Sequence, residues 1–387
     1  MSGSSGRRGR YPDGDLLLAE AVEQTGLWDF GPGDFREGLH VLLESLQRDA
    51  GLAPSTDAQV LGDIRRRLVN RLEVEAWLRD HPGTDSLPVR GPVDVMGLPR
   101  TGTTALANML SLDPQFRCLR EWEQMRPIPP PVPADEPTDP RYLEAVVRHG
   151  ALPAHLRAMH LYDVDATIED SHLLGMAFHG QQYTMPVYGY HAWWRAADCT
   201  DTFAYQRRVI SLLQSRRPPD LWLFKAPHHK FHLEAIVAAY PDVRFVMTHR
   251  DPTRVVPSYA SLVSALFPAP EREHDMHRLG RELAVHLREG MELAMEARAR
   301  LGEDRFLDVQ HPEIDRDPLG TLRRVYKFLD LELWPEVEAA VRDWHVANRT
   351  GTHGAHRYSA EQFGLTTAQL RSDFDFYIRH FDIDVGS

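Results

Sequence analysis

The sequence predicts an α/β fold in which a central, mostly parallel sheet is flanked by helices on both faces and preceded by a helical N-terminal region. Three observations carry the prediction. Short apolar runs alternate with longer segments of helical spacing, which is how a parallel sheet covered by crossover helices reads in sequence. The run "PVDVMG" passes through the turn "GLPRTGTT" into "ALANML", a strand–turn–helix unit with the spacing of a phosphate-binding loop. Two further apolar runs, "DLWLFK" and "PDVRFVMTH", end in cationic residues and histidine, and in open sheets of this type ligands sit beyond the carboxyl ends of the strands.

Taken in order, residues 1–14 are polar and glycine-rich and read as a disordered tail without an apolar leader segment. Residues 15–88 read as a helical region packing on the rest. There Phe35, Leu39, Leu42, Leu43 and Leu46 fall at helical spacing behind Asp34 as a cap, and Ile64, Leu68, Leu72, Val74 and Leu78 repeat the pattern until Pro82 closes it. Residues 89–387 hold the sheet. The stretch 127–140 contains seven prolines, and proline lacks a donor and fixes φ, so an extended loop is expected, lying over the site. Residues 141–218 read as mostly helical, with an aromatic stretch from Tyr183 to Trp194. After the strands ending at Lys225 and at His249-Arg250 come helices over "SYASLVSALF" and residues 280–301, a strand "DRFLDVQ", a helix "DPLGTLRRVYKFLDLEL" and a last helix "TTAQLRSDFDFYIRHF".

Composition excludes several classes. The chain has 387 residues, 42% of them hydrophobic, enough for a sizeable globular core. A net charge of -12 argues against a nucleic-acid surface but permits a local pocket for a small anion. The two cysteines, Cys118 and Cys199, make neither a disulfide framework nor a thiolate zinc site, and the reducing cytoplasm is the expected location. No apolar run reaches the roughly 18 residues of a membrane span. Among 20 histidines there is no HExxH pair, and His228-His229, read as part of an extended segment, would point to opposite sides, so no metal site is expected.

The glycine turn offers backbone N–H groups to one anion, with the positive end of the following helix behind them. Gly97 and Gly102 permit close approach, and Thr103 and Thr104 add hydroxyls. Thr103 stands where a nucleoside triphosphatase carries lysine, so the usual γ-phosphate contact is missing; Arg100 brings a charge to the turn instead. A second anion motif is "RDPTRVVPS", in which Arg250 at a strand end and Ser258 in the next helix can meet one phosphate. The plain alternatives are a salt bridge for Arg250 and a capping role for Ser258.

These residues resemble a family. "PRTGTT" after a strand looks like the 5′-phosphosulfate loop of sulfotransferases that use 3′-phosphoadenosine 5′-phosphosulfate (PAPS), and Arg250 with Ser258 looks like their 3′-phosphate motif. "LREWE", "FKAPHH" and "HRYSAEQFGL" resemble segments of the bacterial branch, and the likeness runs from about residue 30 to the end. The resemblance implies a P-loop-like three-layer fold, a sulfotransferase domain over residues 89–387, PAPS as co-substrate without metal, and a small-molecule acceptor with a hydroxyl or amine. It also implies roles. Thr101, Gly102, Thr103 and Thr104 would cradle the 5′-phosphate, Arg250 and Ser258 the 3′-phosphate, and Arg357 would close over the nucleotide. Arg100 and Lys225 would stabilise charge in the transition state, and His229 would contact sulfonate or acceptor. The "THLP"-like histidine segment of many cytosolic members is not matched, so the base is sought in "LREWEQ": Glu123 first, Glu121 second. Glu123 pairing with Arg120 or Arg126 is the plain alternative. Two other classes share the loop, a P-loop nucleotide kinase and a non-catalytic protein that binds 3′-phosphoadenosine 5′-phosphate (PAP).

Overall fold

The computed structural model describes residues 10–152, 164–180, 184–271, 273–348 and 358–386. Five strands, β1 (Val93–Gly97), β2 (Phe116–Cys118), β3 (Leu221–Lys225), β4 (Arg244–His249) and β5 (Phe306–Gln310), form one sheet in the order β2-β3-β1-β4-β5. All four pairings are parallel. β1 is central, with Val95 opposite Lys225 of β3 and Gly97 opposite Thr248 of β4. This register sets the glycine turn between the ends of its two neighbours. β2 has only three residues, too few for a periodic signal, and was not anticipated.

Alternation along the strands builds the three layers. Val93 and Val95, Leu223 and Val246 feed one core with the helix α4 (Thr103–Leu110) and the helices Pro318–Leu329 and Pro335–Ala347. Met96, Trp222, Phe224, Phe245 and Met247 feed the opposite core with the helices Thr200–Gln214, Leu233–Ala239, Pro252–Leu266 and Met276–Leu301. Asp94, alternating with Val93 and Val95, lies on that second face and is fully buried.

The N-terminal helices α1 (Gly14–Thr25), α2 (Arg36–Ser45) and α3 (Pro54–Asp80) follow the sequence closely. Every apolar residue read as their buried face is buried. Asp13 caps α1 by accepting from Asp15 N–H, and Asp34 accepts from Glu37 N–H at the start of α2. α1 begins at Gly14 and Tyr11 is buried, so the expected tail is anchored from its last residues; residues 1–9 lie outside the described part. The apolar faces of α1–α3 form a core with Phe178, Tyr190 and Trp194. The final helical pattern is divided into Thr367–Asp373 and Asp375–His380.

Candidate active site

The carboxyl ends of β1, β3 and β4 open into a cleft of about 510 Å³, within the range of small-molecule sites. Its polar lining includes Arg100, Gly102, Thr103, Thr104, Lys225 and Arg250. Its apolar lining includes Tyr259, Leu262, Leu266 and Leu287. Glu169, His172, His228 and Lys230 also line it.

The glycine turn owes its shape to specific residues. Gly97 has φ +135°, and a Cβ there would run into the carbonyl oxygen of Thr248 on β4. Gly102 has φ +92°, and a Cβ would come 2.8 Å from Ile314 Cδ1. Both need glycine on conformation and on space. Arg100 itself takes a positive φ of 64°, uncommon for a residue with a side chain and concentrated at functional turns. Thr101 is fully buried; its hydroxyl donates to Leu98 C=O at 2.6 Å and meets Thr248 Oγ1 at 2.5 Å. Its side chain therefore fastens the turn to β4 and does not line the cleft, which leaves Thr101 only its backbone N–H to offer an anion.

The two anion motifs, separated in sequence by 150 residues, touch. Arg250 Nη1 donates to Arg100 C=O at 3.0 Å, and Arg100 Nε donates to Ser258 Oγ at 3.3 Å. Ser258 is buried behind Arg100 in the helix Pro252–Leu266, which Asp251 caps by accepting from Thr253 N–H. Burial pushes the Arg250 guanidinium pKa downward, yet arginine stays charged at any physiological pH. Arg357 lies outside the described residues.

Lys225 ends β3 with its ammonium nearly fully buried, donating to Glu169 Oε1 at 3.2 Å. Beyond it, Pro227–Phe231 is a 3₁₀ turn rather than an extended segment. That corrects the geometry expected for the histidine pair: both imidazoles converge on one carboxylate. Asp170 Oδ1 lies 3.0 Å from His228 Nε2, and Asp170 Oδ2 lies 2.8 Å from His229 Nε2. His229 Nδ1 lies 2.7 Å from Asp94 Oδ2. Burial alone would lower the His229 pKa, but the carboxylates of Asp170 and Asp94 outweigh it and raise it to about 10. Asp170, despite burial, is held well below the ordinary carboxylate range by the two histidines. The acidic and imidazole atoms of Asp170, His228 and His229 lie within 4.8 Å of one another, near enough to surround an ion. Hydrogen bonds within the cluster already engage Asp170 with both rings.

His229 has no exposed surface and does not line the cleft; His228 does, and its Nδ1 is buried without a hydrogen-bond partner. The imidazole on the cleft wall is thus the neighbour of the one singled out from sequence. Lys230 also lines the cleft, and burial lowers its pKa to about 7 against the opposing pull of Glu169.

The structure turns Glu123 away from the cleft. The short helix Glu121–Met125 directs its carboxylate, fully buried, to Arg120 and toward Arg117 Nη2 at 3.5 Å. This is the salt-bridge alternative with Arg120, and an acceptor in the cleft does not meet that carboxylate. Glu121 is engaged by Arg148 at 2.7 Å and His149 at 2.6 Å; it approaches the cleft only through His172, 3.9 Å away. The proline-rich loop contributes nothing to the cleft wall. Tyr190 and Trp194 of the aromatic stretch are buried in the N-terminal core, and Tyr183 is outside the described residues. Tyr259 and the lining leucines come instead from the helices Pro252–Leu266 and Met276–Leu301. Sequence reasoning missed Glu169, Asp170 and His228; the adjacent carboxylates in "IEDSH" were the available signal.

A glycine turn, five lysine and arginine side chains and an ordered imidazole around one cleft at the ends of a parallel sheet define an α/β enzyme with an anion-binding site. Comparison with known proteins gives the class its name. The model of the sulfotransferase family matches residues 92–336. The crystal structure of sulfotransferase STF9 from Mycobacterium avium is similar over 98% of this chain and 99% of that one, with 31% identity and a TM-score of 0.86. Sulfotransferase STF1 from Mycobacterium tuberculosis H37Rv is similar over 95% and 99%, with 28% identity and a TM-score of 0.81. The omega-hydroxy-beta-dihydromenaquinone-9 sulfotransferase Stf3 of Mycobacterium bovis is 27% identical over 114 residues, and the match spans only 28% of its length. The chain belongs to the sulfotransferase family and is a sulfotransferase enzyme. Among the described residues, no helix is long and apolar enough to cross a membrane.

Proposed function

We propose that the chain moves a sulfuryl group from PAPS to a hydroxyl of a small, largely apolar acceptor, with His228 as the general base. The observation that carries the reading is the contact between the two anion motifs: Arg250 holds the Arg100 carbonyl, and Arg100 reaches Ser258, on the wall that Lys225 and His228 share. The donor set fits a compound with two separate phosphate groups. Arg100, Lys225 and the N-terminus of α4 would face the 5′-phosphosulfate, and Arg250 with Ser258 the 3′-phosphate. PAPS supplies an activated sulfuryl group, whose bond to the 5′-phosphate breaks as one to the acceptor oxygen forms.

The work left to the protein is positioning and charge stabilisation. His228 Nδ1 takes the acceptor proton, a role worth roughly 10²–10⁴-fold in rate. Asp170 accepts from Nε2–H of the same ring and keeps Nδ1 available. Lys225 at the end of β3 meets negative charge gathering on the sulfonate and on the departing phosphate oxygen. The leucines of the lining support an acceptor with an apolar body, and the partial relative Stf3, an omega-hydroxy-beta-dihydromenaquinone-9 sulfotransferase, is in keeping with that.

Thermal unfolding with PAP, adenosine 5′-phosphate and magnesium ATP tests the donor. A ligand at 100 times its dissociation constant stabilises a fold by about 2.7 kcal/mol, so PAP should raise the melting temperature where adenosine 5′-phosphate does so weakly. Stabilisation by magnesium ATP but not by PAP would sink the proposal.

A further inference from the structure

Asp94 is the second residue of β1, a residue type that seldom sits fully buried on a core strand. It belongs to neither anion motif and does not line the cleft. What it touches explains its place. Asp94 Oδ2 is 2.7 Å from His229 Nδ1, and the other nitrogen of that ring is 2.8 Å from Asp170 Oδ2. Ionised carboxylates only accept hydrogen bonds, so a ring held by two of them carries a proton on each nitrogen. Asp170 also accepts from Gln206 Nε2, and Gln206 in turn accepts at Oε1 from the Tyr240 hydroxyl at 2.8 Å. Its remaining oxygen faces His228 Nε2 at 3.0 Å. An ionised Asp170 therefore fixes the His228 proton on Nε2 and leaves the lone pair on Nδ1, the atom without a partner on the cleft wall.

We propose that Asp94 and His229 are positioning residues for sulfuryl transfer, acting through Asp170 to set the tautomer and the basicity of His228. This rests on His228 being the base. Asp94, His229 and Asp170 together carry one net negative charge beside His228. When Nδ1 takes the acceptor proton, the acceptor O–H bond breaks, an N–H bond forms, and the four groups become neutral as a set. The buried anion thus favours the imidazolium just when it forms, as a carboxylate behind a catalytic imidazole does.

The other groups around His228 do not supply this charge. Glu169, on the segment before Asp170, is 3.9 Å from Nδ1 but is engaged by Lys225. Burial keeps His232 and His286 neutral near pH 7. Lys230 lies on the same turn and donates to Pro227 C=O; any charge it carries opposes the imidazolium.

Histidine ring ¹⁵N NMR on the full chain tests the arrangement without an identified acceptor, with His228→Asn and His229→Gln spectra giving the assignments. In the wild type, His229 is expected to stay doubly protonated through pH 8, while neutral His228 carries its proton on Nε2. In Asp94→Asn, the His228 midpoint should fall by about one pH unit, a tenfold change; a residue that only packs would leave it in place. A singly protonated His229 at pH 7, or an unmoved His228 midpoint in Asp94→Asn, overturns the inference. If Asp94→Asn fails to fold, the wild-type spectrum alone decides. Activity of His228→Asn separates the two readings: a wild-type rate removes the base assignment, and the inference with it, whatever the spectra show. A dead His228→Asn with the NMR signature missing removes the relay and keeps the base.

Discussion

Replacing Glu123 by glutamine separates a structural carboxylate from a catalytic one. The native carboxylate is fully buried, bonded to Arg120 and 3.5 Å from Arg117 Nη2. Glutamine keeps the shape and removes the charge, leaving two nearly buried guanidiniums to find other partners. Breaking a buried pair from one side costs about 3–5 kcal/mol. Arg120 retains Glu136, at 2.7 Å and 3.0 Å, and Arg117 retains the carbonyls of Leu213 and Arg217. Those remaining bonds place the expected loss at the lower end, about 3 kcal/mol. Urea denaturation followed by tryptophan fluorescence would read it as a lower midpoint at unchanged slope. The turnover rate per folded molecule should stay within a few-fold of wild type. An unchanged midpoint with a rate lowered by roughly 10²–10⁴-fold would show that Glu123 is the base and that the argument from cleft geometry fails.

Four other outcomes follow from the same coordinates. His228→Asn should lower the turnover rate by roughly 10²–10⁴-fold with PAP affinity unchanged, read by steady-state kinetics and calorimetry. Arg250→Met removes a charged donor that also steadies the Arg100 carbonyl; PAP should bind about 10–100-fold more weakly by titration calorimetry, from hydrogen bonds to a charged group worth about 1.5–3 kcal/mol. Gly102→Val meets Ile314 at a positive φ, so PAP binding should fall much further than overall helicity does by circular dichroism. For pH, His229 has its folded pKa raised to about 10 from an ordinary 6.5. Its contribution to stability is full below pH 6.5 and is lost as pH rises through 10, so the stability gap between wild type and His229→Gln should narrow from pH 7 to pH 10 in urea titrations.

The parallel sheet and the glycine turn were readable because both rest on local chemistry. Apolar runs bounded by turns mark strands, and glycine marks backbone that a side chain would block. The residues of the cleft wall around His228 were harder to read. His228 and His229 differ by one position, and only the 3₁₀ turn decides which of the two buried rings borders the cleft. Asp170 lies in a segment with no periodic signal of its own, and its partners come from β1 and from the turn after β3. Glu123 looked catalytic because Trp122-Glu123 resembles a dipeptide of the bacterial branch, and Glu121 because of its distance from the loop; Arg117 and Arg120 were the contrary sign for Glu123, two cations within six positions of it. A buried ion pair and an active carboxylate share the same letters, and burial tells them apart.

The polar and apolar linings of the cleft are made by different kinds of element. Strand termini, fixed by five paired strands, hold the cations, whereas the leucines come from the inner sides of two long helices. Leu262 and Leu266 are only half-buried, whereas Leu287 is enclosed in the core. Shortening or lengthening the two half-buried side chains would reshape the cleft while leaving the sheet register and the glycine turn alone. On the proposed reading, substitution there retunes which acceptor is admitted without renegotiating how the donor is held, and a small library at positions 262 and 266 is the most economical place to look for a changed substrate range.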